Sequence, residues 1–127
     1  MCIRDSLWTD WSPNWPDYKS YADKTIEVLS KGNVLSKALA YYRCTFQESL
    51  QTERINSLTN ELSAQTIKVP SLYLHGENDG CIGANLSEGM ENFFDDLEIK
   101  ILPKCGHFLH LEKSEEVNNI ILDFLSG

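Results

Sequence analysis

A chain of 127 residues with 42% hydrophobic and 24% charged content is long enough for one folded domain with a core. Its 11 basic and 19 acidic residues give a formal charge of -8, which opposes a nucleic-acid backbone or an anionic membrane surface. No apolar run approaches the roughly 20 residues of a membrane helix, and no basic region followed by an apolar stretch opens the chain, so a cytoplasmic protein without nucleic-acid or membrane partners is expected.

The segment "LWTDWSPNWPDY" holds Trp8, Trp11 and Trp15 with two prolines and reads as a packed loop, too irregular for a helix. From Pro16 the pattern becomes helical: Tyr18, Tyr21, Ala22, Ile26 and Leu29 recur at spacings of three and four, and Gly32 closes the run. Asn33 can cap a second amphipathic helix whose face carries Leu35, Ala38, Leu39, Tyr42 and Phe46. Residues 47–66 are polar with sparse leucines, which fits a weak helix or a connecting segment.

After Val69 the pattern changes. "VPSLYLHG" is a nearly continuous apolar run closed by glycine, as expected of a strand buried on both faces in a parallel sheet. A helix over about Ala84 to Leu97 follows, then "LEIKIL" as a second strand, then a final helix capped by Ser114, with Glu115 and Glu116 in its first turn. Strand, helix, strand, helix predicts a parallel α/β unit.

In open parallel sheets ligands gather outside the carboxyl ends of the strands. Asp79 in "HGENDG" follows the first strand, and His107 in "LPKCGH" follows the second. If the strands are neighbours, a carboxylate and an imidazole meet at one edge. An aspartate bonded to one ring nitrogen fixes the tautomer and leaves the other nitrogen as a base, the acid–base half of a nucleophilic hydrolase. The four cysteines, Cys2, Cys44, Cys81 and Cys105, form no C-x-x-C pair and read as free thiols. His107, His110 and Glu112 are too loosely spaced for a metal site, so none is expected. His75 reads as filling the end of a buried strand.

The stretches "PSLYLHGENDGCIG" and "LPKCGHFLHLEKSEEVNNIILDFL" resemble the C-terminal end of the α/β-hydrolase superfamily, in its epoxide hydrolase-like branch. The resemblance implies Asp79 as triad acid and His107 as triad histidine. "ALAYYR" is similar to a cap-domain motif whose tyrosine points its hydroxyl at the epoxide oxygen. That implies Tyr42 as a substrate-binding residue, against the alternative that it packs on its helix face. The implied fold class is α/β: the C-terminal portion of an α/β-hydrolase core at 67–127, preceded by a partial helical cap at 7–50 and a connector at 51–66. The nucleophile elbow of the family, G-x-S-x-G or G-x-D-x-G, does not occur in the sequence. "MCIRDS", residues 1–6, matches nothing in the family and reads as a non-native start. A fragment that begins inside the cap and is inactive alone is therefore expected. The substrate class implied is a small apolar epoxide or ester, with no cofactor. The alternatives are a dehalogenase or serine esterase of the same fold, or a non-catalytic α/β binding module.

Overall fold

The computed structural model describes residues 3–127, with side chains from Asp5 onward. Met1 and Cys2, where the expected non-native start begins, lie outside the described residues. Helix α1 spans Ile3–Trp11, α2 Tyr18–Leu29, α3 Val34–Phe46 and α4 Glu53–Ser63. Strand β1 is Ser71–Gly76 and β2 is Leu97–Leu102; α5, Leu109–Glu112, and α6, Ser114–Ser126, close the chain. Among the described residues no helix is long and apolar enough to cross a membrane.

β1 and β2 pair in parallel, with Ser71 opposite Leu97 and Gly76 opposite Leu102, so both strands end level with each other. The turns that follow them are neighbours as a result. A methyl group at Gly76 would overlap the Gly106 carbonyl, so the absence of a side chain there lets the two turns touch. The core beneath them is Leu102, Cys105 and Val117, with Leu74, Leu109 and Ile120 packed against it.

The structure departs from the sequence reading in four places. The expected tryptophan-rich loop is helical in its first part: α1 takes residues 7–11 of it, with Trp8 and Trp11 three residues apart, and ends before Pro13, while residues 12–17 are loop as expected. The crossover from β1 to β2 is no α-helix but two 3₁₀ turns, Ala84–Ser87 and Met90–Phe93. Gly89 between them has φ +81, and the Ser87 hydroxyl and Asn92 amide donate to nearby carbonyls of Ala84 and Gly89. These local bonds compete with helical ones, and Phe94 is already extended. Ser114 is not a cap: it is the first residue of α6, and Lys113 precedes it without a capping side-chain bond. Finally, β1 is not buried on both faces, since Ser71 to Leu74 are half-buried and only His75 and Gly76 are enclosed. The 51–66 segment resolves to helix α4, started by Thr52, whose hydroxyl accepts from the Ile55 N–H at 3.3 Å.

Candidate active site

The turn after β1 carries Asp79, whose side chain is 4% exposed. Its Oδ1 accepts the backbone N–H groups of Cys81 at 2.8 Å and Ile82 at 2.9 Å, an arrangement that closes the turn on the carboxylate. Its Oδ2 accepts from His107 Nδ1 at 2.9 Å. Because a carboxylate only accepts, the hydrogen sits on Nδ1, and Nε2 of His107 is the nitrogen left to act as a base. Burial pushes the Asp79 pKa upward, but the Ile82 amide, the His107 ring and the Cys81 amide together bring it below its ordinary value of 3.8. The carboxylate is therefore ionised and oriented. His107 is less enclosed, with its side chain 28% exposed.

The two turns are joined by the end of α1. The Trp11 carbonyl accepts both the Gly80 N–H at 3.0 Å and the His107 N–H at 2.9 Å, so one acceptor ties the residue after Asp79 to His107 itself. The buried Ser12 hydroxyl donates to Glu112 at 2.7 Å and accepts the Phe108 N–H at 3.1 Å, and Glu112 also accepts the Gly106 N–H at 3.0 Å. Glu112 thus holds the backbone before His107 directly and the backbone after it through Ser12. Around the histidine stands an aromatic wall: Trp11 meets its ring edge-on at 4.9 Å, Phe108 at 5.3 Å, and Trp8 stacks on Phe108 at 4.3 Å. Such a wall keeps bulk water from one side of the His107 ring.

Asp79 and His107 are thus brought together, as their places in the sequence suggest. Tyr42 is not joined to them by any hydrogen bond or ring contact among the described residues. It is 54% exposed on α3, with its ring edge-on to Tyr41 at 5.8 Å. Cys105 is buried, and burial, with the Glu112 charge adding to it, pushes its thiol up to about 11. Cys81 is exposed; burial of its sulfur and then the Asp79 charge raise its pKa, so neither thiol is an activated nucleophile. Among the described residues, no three His, Cys, Asp or Glu converge as a metal set. Sequence reasoning missed Ser12, the Trp11 carbonyl and the bracing role of Glu112, which it weighed only as a metal ligand. The three-residue spacing of Trp8 and Trp11 was the available sign that the start of this segment is helical.

No family model matches the chain. It is 33% identical over 103 residues to Epoxide hydrolase 3 of Xenopus tropicalis, an alignment covering 76% of this chain and 27% of that protein. It is 32% identical over 63 residues to Bifunctional epoxide hydrolase 2 of Sus scrofa, covering 50% of this chain and 11% of that one. The chain therefore spans about a quarter or less of the length of these relatives. The crystal structure of the Bacillus megaterium epoxide hydrolase in complex with an inhibitor superposes with a TM-score of 0.50 at 15% identity, covering 98% of this chain and 56% of that one, a likeness of fold. The parallel strands, their flanking helices and this superposition make the chain part of an α/β-hydrolase fold. Over its C-terminal part, it is related to the epoxide hydrolase-like branch of the α/β-hydrolase superfamily.

Proposed function

We infer that this chain supplies the acid and base of an epoxide hydrolase-like enzyme, and that the nucleophile comes from an elbow outside these 127 residues. The observation that carries this reading is the 2.9 Å bond from His107 Nδ1 to the buried, ionised Asp79, in a chain related to epoxide hydrolases. In the complete reaction an elbow aspartate opens the epoxide and forms an ester. His107 then takes a proton at Nε2 from a water that attacks the ester, while Asp79 stabilises the imidazolium. Residues 7–50 form part of a helical cap, 51–66 a connector and 67–127 the last part of the core. Tyr42, on the cap, donates its phenol hydrogen to the opening oxygen once substrate is bound, and the phenol is restored by a proton from the water consumed when the ester is hydrolysed and the product alcohol leaves. The substrate is a small apolar epoxide, in keeping with the aromatic wall beside His107. Without an elbow, residues 1–127 alone turn over neither epoxides nor esters.

A second reading, an ester hydrolase with the same acid and base, is favoured by 24% identity over 88 residues to Monoacylglycerol lipase ABHD6 of Mus musculus. The two are separated by Tyr42→Phe in the reading frame extended upstream through the elbow. A phenol that donates to the epoxide oxygen matters for epoxides and hardly for esters, whose oxyanion is held by backbone donors. Epoxide turnover should fall by about one to two orders of magnitude with ester turnover unchanged. Equal losses on both substrates, or an extended frame without an elbow, would refute the epoxide reading.

A further inference from the structure

Asp79 has a second histidine beside it. Tyr73 and His75 stand two residues apart on β1 and so project from the same face. Their rings stack at 5.7 Å, and the Tyr73 hydroxyl lies 2.7 Å from His75 Nδ1. On the other side of the imidazole, Nε2 lies 2.9 Å from the Ile82 carbonyl and 3.4 Å from Asp79 Oδ2. His75 is 7% exposed. Its two ring nitrogens therefore have to be satisfied by these neighbours.

One arrangement satisfies them all. The Ile82 carbonyl can only accept, so the hydrogen is on Nε2. In the neutral ring Nδ1 is then an acceptor, and the Tyr73 hydroxyl donates to it. Burial, and then the charge of Asp79, raise the Tyr73 pKa, which keeps that hydroxyl protonated and able to donate. Ile82 is gripped on both sides, since its N–H donates to Asp79 Oδ1 while its carbonyl accepts from His75. The turn that carries Asp79 is thus fastened back onto the strand that precedes it, and Nε2 itself lies 3.4 Å from the oxygen that accepts from His107.

We propose that His75 is a positioning residue for Asp79: its Nε2–H, held in that tautomer by Tyr73, fixes the turn from Asp79 to Ile82 and steers Oδ2 onto His107 Nδ1. This proposal rests on reading Asp79 and His107 as the catalytic pair. It assigns His75 and Tyr73 a task that filling a strand end would not require, because a leucine and a phenylalanine would fill the same space.

The test is a long-range proton–nitrogen NMR spectrum of the nitrogen-15-labelled 127-residue chain at neutral pH, which distinguishes the two neutral tautomers of each histidine. The wild-type chain should show His75 only as the Nε2–H form and His107 only as the Nδ1–H form. In His75→Leu the ratio of Nδ1–H to Nε2–H forms of His107 should fall roughly fivefold, the weight of one neutral hydrogen bond such as that to the Ile82 carbonyl. His75→Gln, whose amide can donate from about the place of Nε2, should preserve the His107 ratio. Tyr73→Phe keeps the stacked ring and should let the His75 tautomers mix. A wild-type His75 that is mixed or Nδ1–H would overturn the proposal, as would an unchanged His107 in His75→Leu. If the leucine variant does not fold, Tyr73→Phe decides, and an unaltered His75 tautomer there also overturns it. None of these spectra uses a substrate, so a failure of the hydrolase reading in turnover assays is seen separately from a failure of this one.

Discussion

Asp79 combines near-complete enclosure with a full negative charge, and its four neighbours explain how. Two backbone amides hold Oδ1, while His107 and His75 face Oδ2. Its folded pKa is lowered, so the stability it contributes is fully present above its ordinary value of 3.8 and is lost as pH falls through the lowered folded value. Trp8, Trp11 and Trp15 all lie against or near the site turns, so tryptophan fluorescence follows this region. Asp79→Asn should lower the fluorescence-detected urea midpoint at pH 6, and the gap from wild type should shrink on acidification below pH 3.8; a gap that is the same at both pH values would contradict the account. In the elbow-bearing form the same substitution should slow turnover by about 10⁴-fold through the wrong His107 tautomer. At this scale the pair was legible in the sequence because topology alone places two strand-end turns side by side. His75 was not, because a histidine in an apolar strand looks the same whether it fills space or braces a neighbour, and only its two partners tell them apart.

At the scale of elements, the site depends on a helix end that belongs to neither strand. The C-terminus of α1 enters between the two turns, and Gly106 makes room for it: a methyl group there would stand against the Ser12 Cα, the Ser12 hydroxyl and the Trp11 carbonyl. Gly106→Ala should therefore push α1 off both turns and destabilise the site region by about 1–3 kcal/mol, the usual range for overpacking. The fluorescence midpoint should drop accordingly, and a wild-type midpoint would show that α1 is not wedged there. The two strands were legible as short apolar runs closed by turns. The crossover was not, since Leu86, Met90, Phe93 and Phe94 keep helical spacing while Gly89 breaks the chain between them. Local bonds at Ser87 and Asn92 outweigh that pattern. Helix α1 was hidden for the opposite reason: two prolines suggested irregular chain, although both lie beyond its last residue.

Across the whole molecule, packing is unevenly distributed. Among the described residues the buried ones lie in the segment after α1, in α2, at the end of β1, at the end of β2 and in the turn after it, and in α6, whereas no residue of α3 or α4 is buried. Phe46 is 79% exposed, and Leu39, Leu58 and Leu62 also present apolar surface. Local stability follows buried contact, so amides of α3 and α4 should exchange with solvent at least tenfold faster than those of β1, β2 and α6, read as hydrogen-exchange protection residue by residue. Uniform protection across the chain would contradict this division. The amphipathic pattern of α3 was plain in the sequence, but periodicity reports that a face is apolar without reporting what covers it.

The central claim, that His107 is the base of a hydrolase and Asp79 its orienting acid, is tested most directly by His107→Ala in the frame extended through the elbow, incubated with an epoxide and analysed by intact-protein mass spectrometry. Ester formation needs no base, whereas water attack on the ester does. The account predicts a covalent adduct on an aspartate that accumulates to about one per protein while turnover stops. Undiminished turnover with no trapped adduct would contradict it.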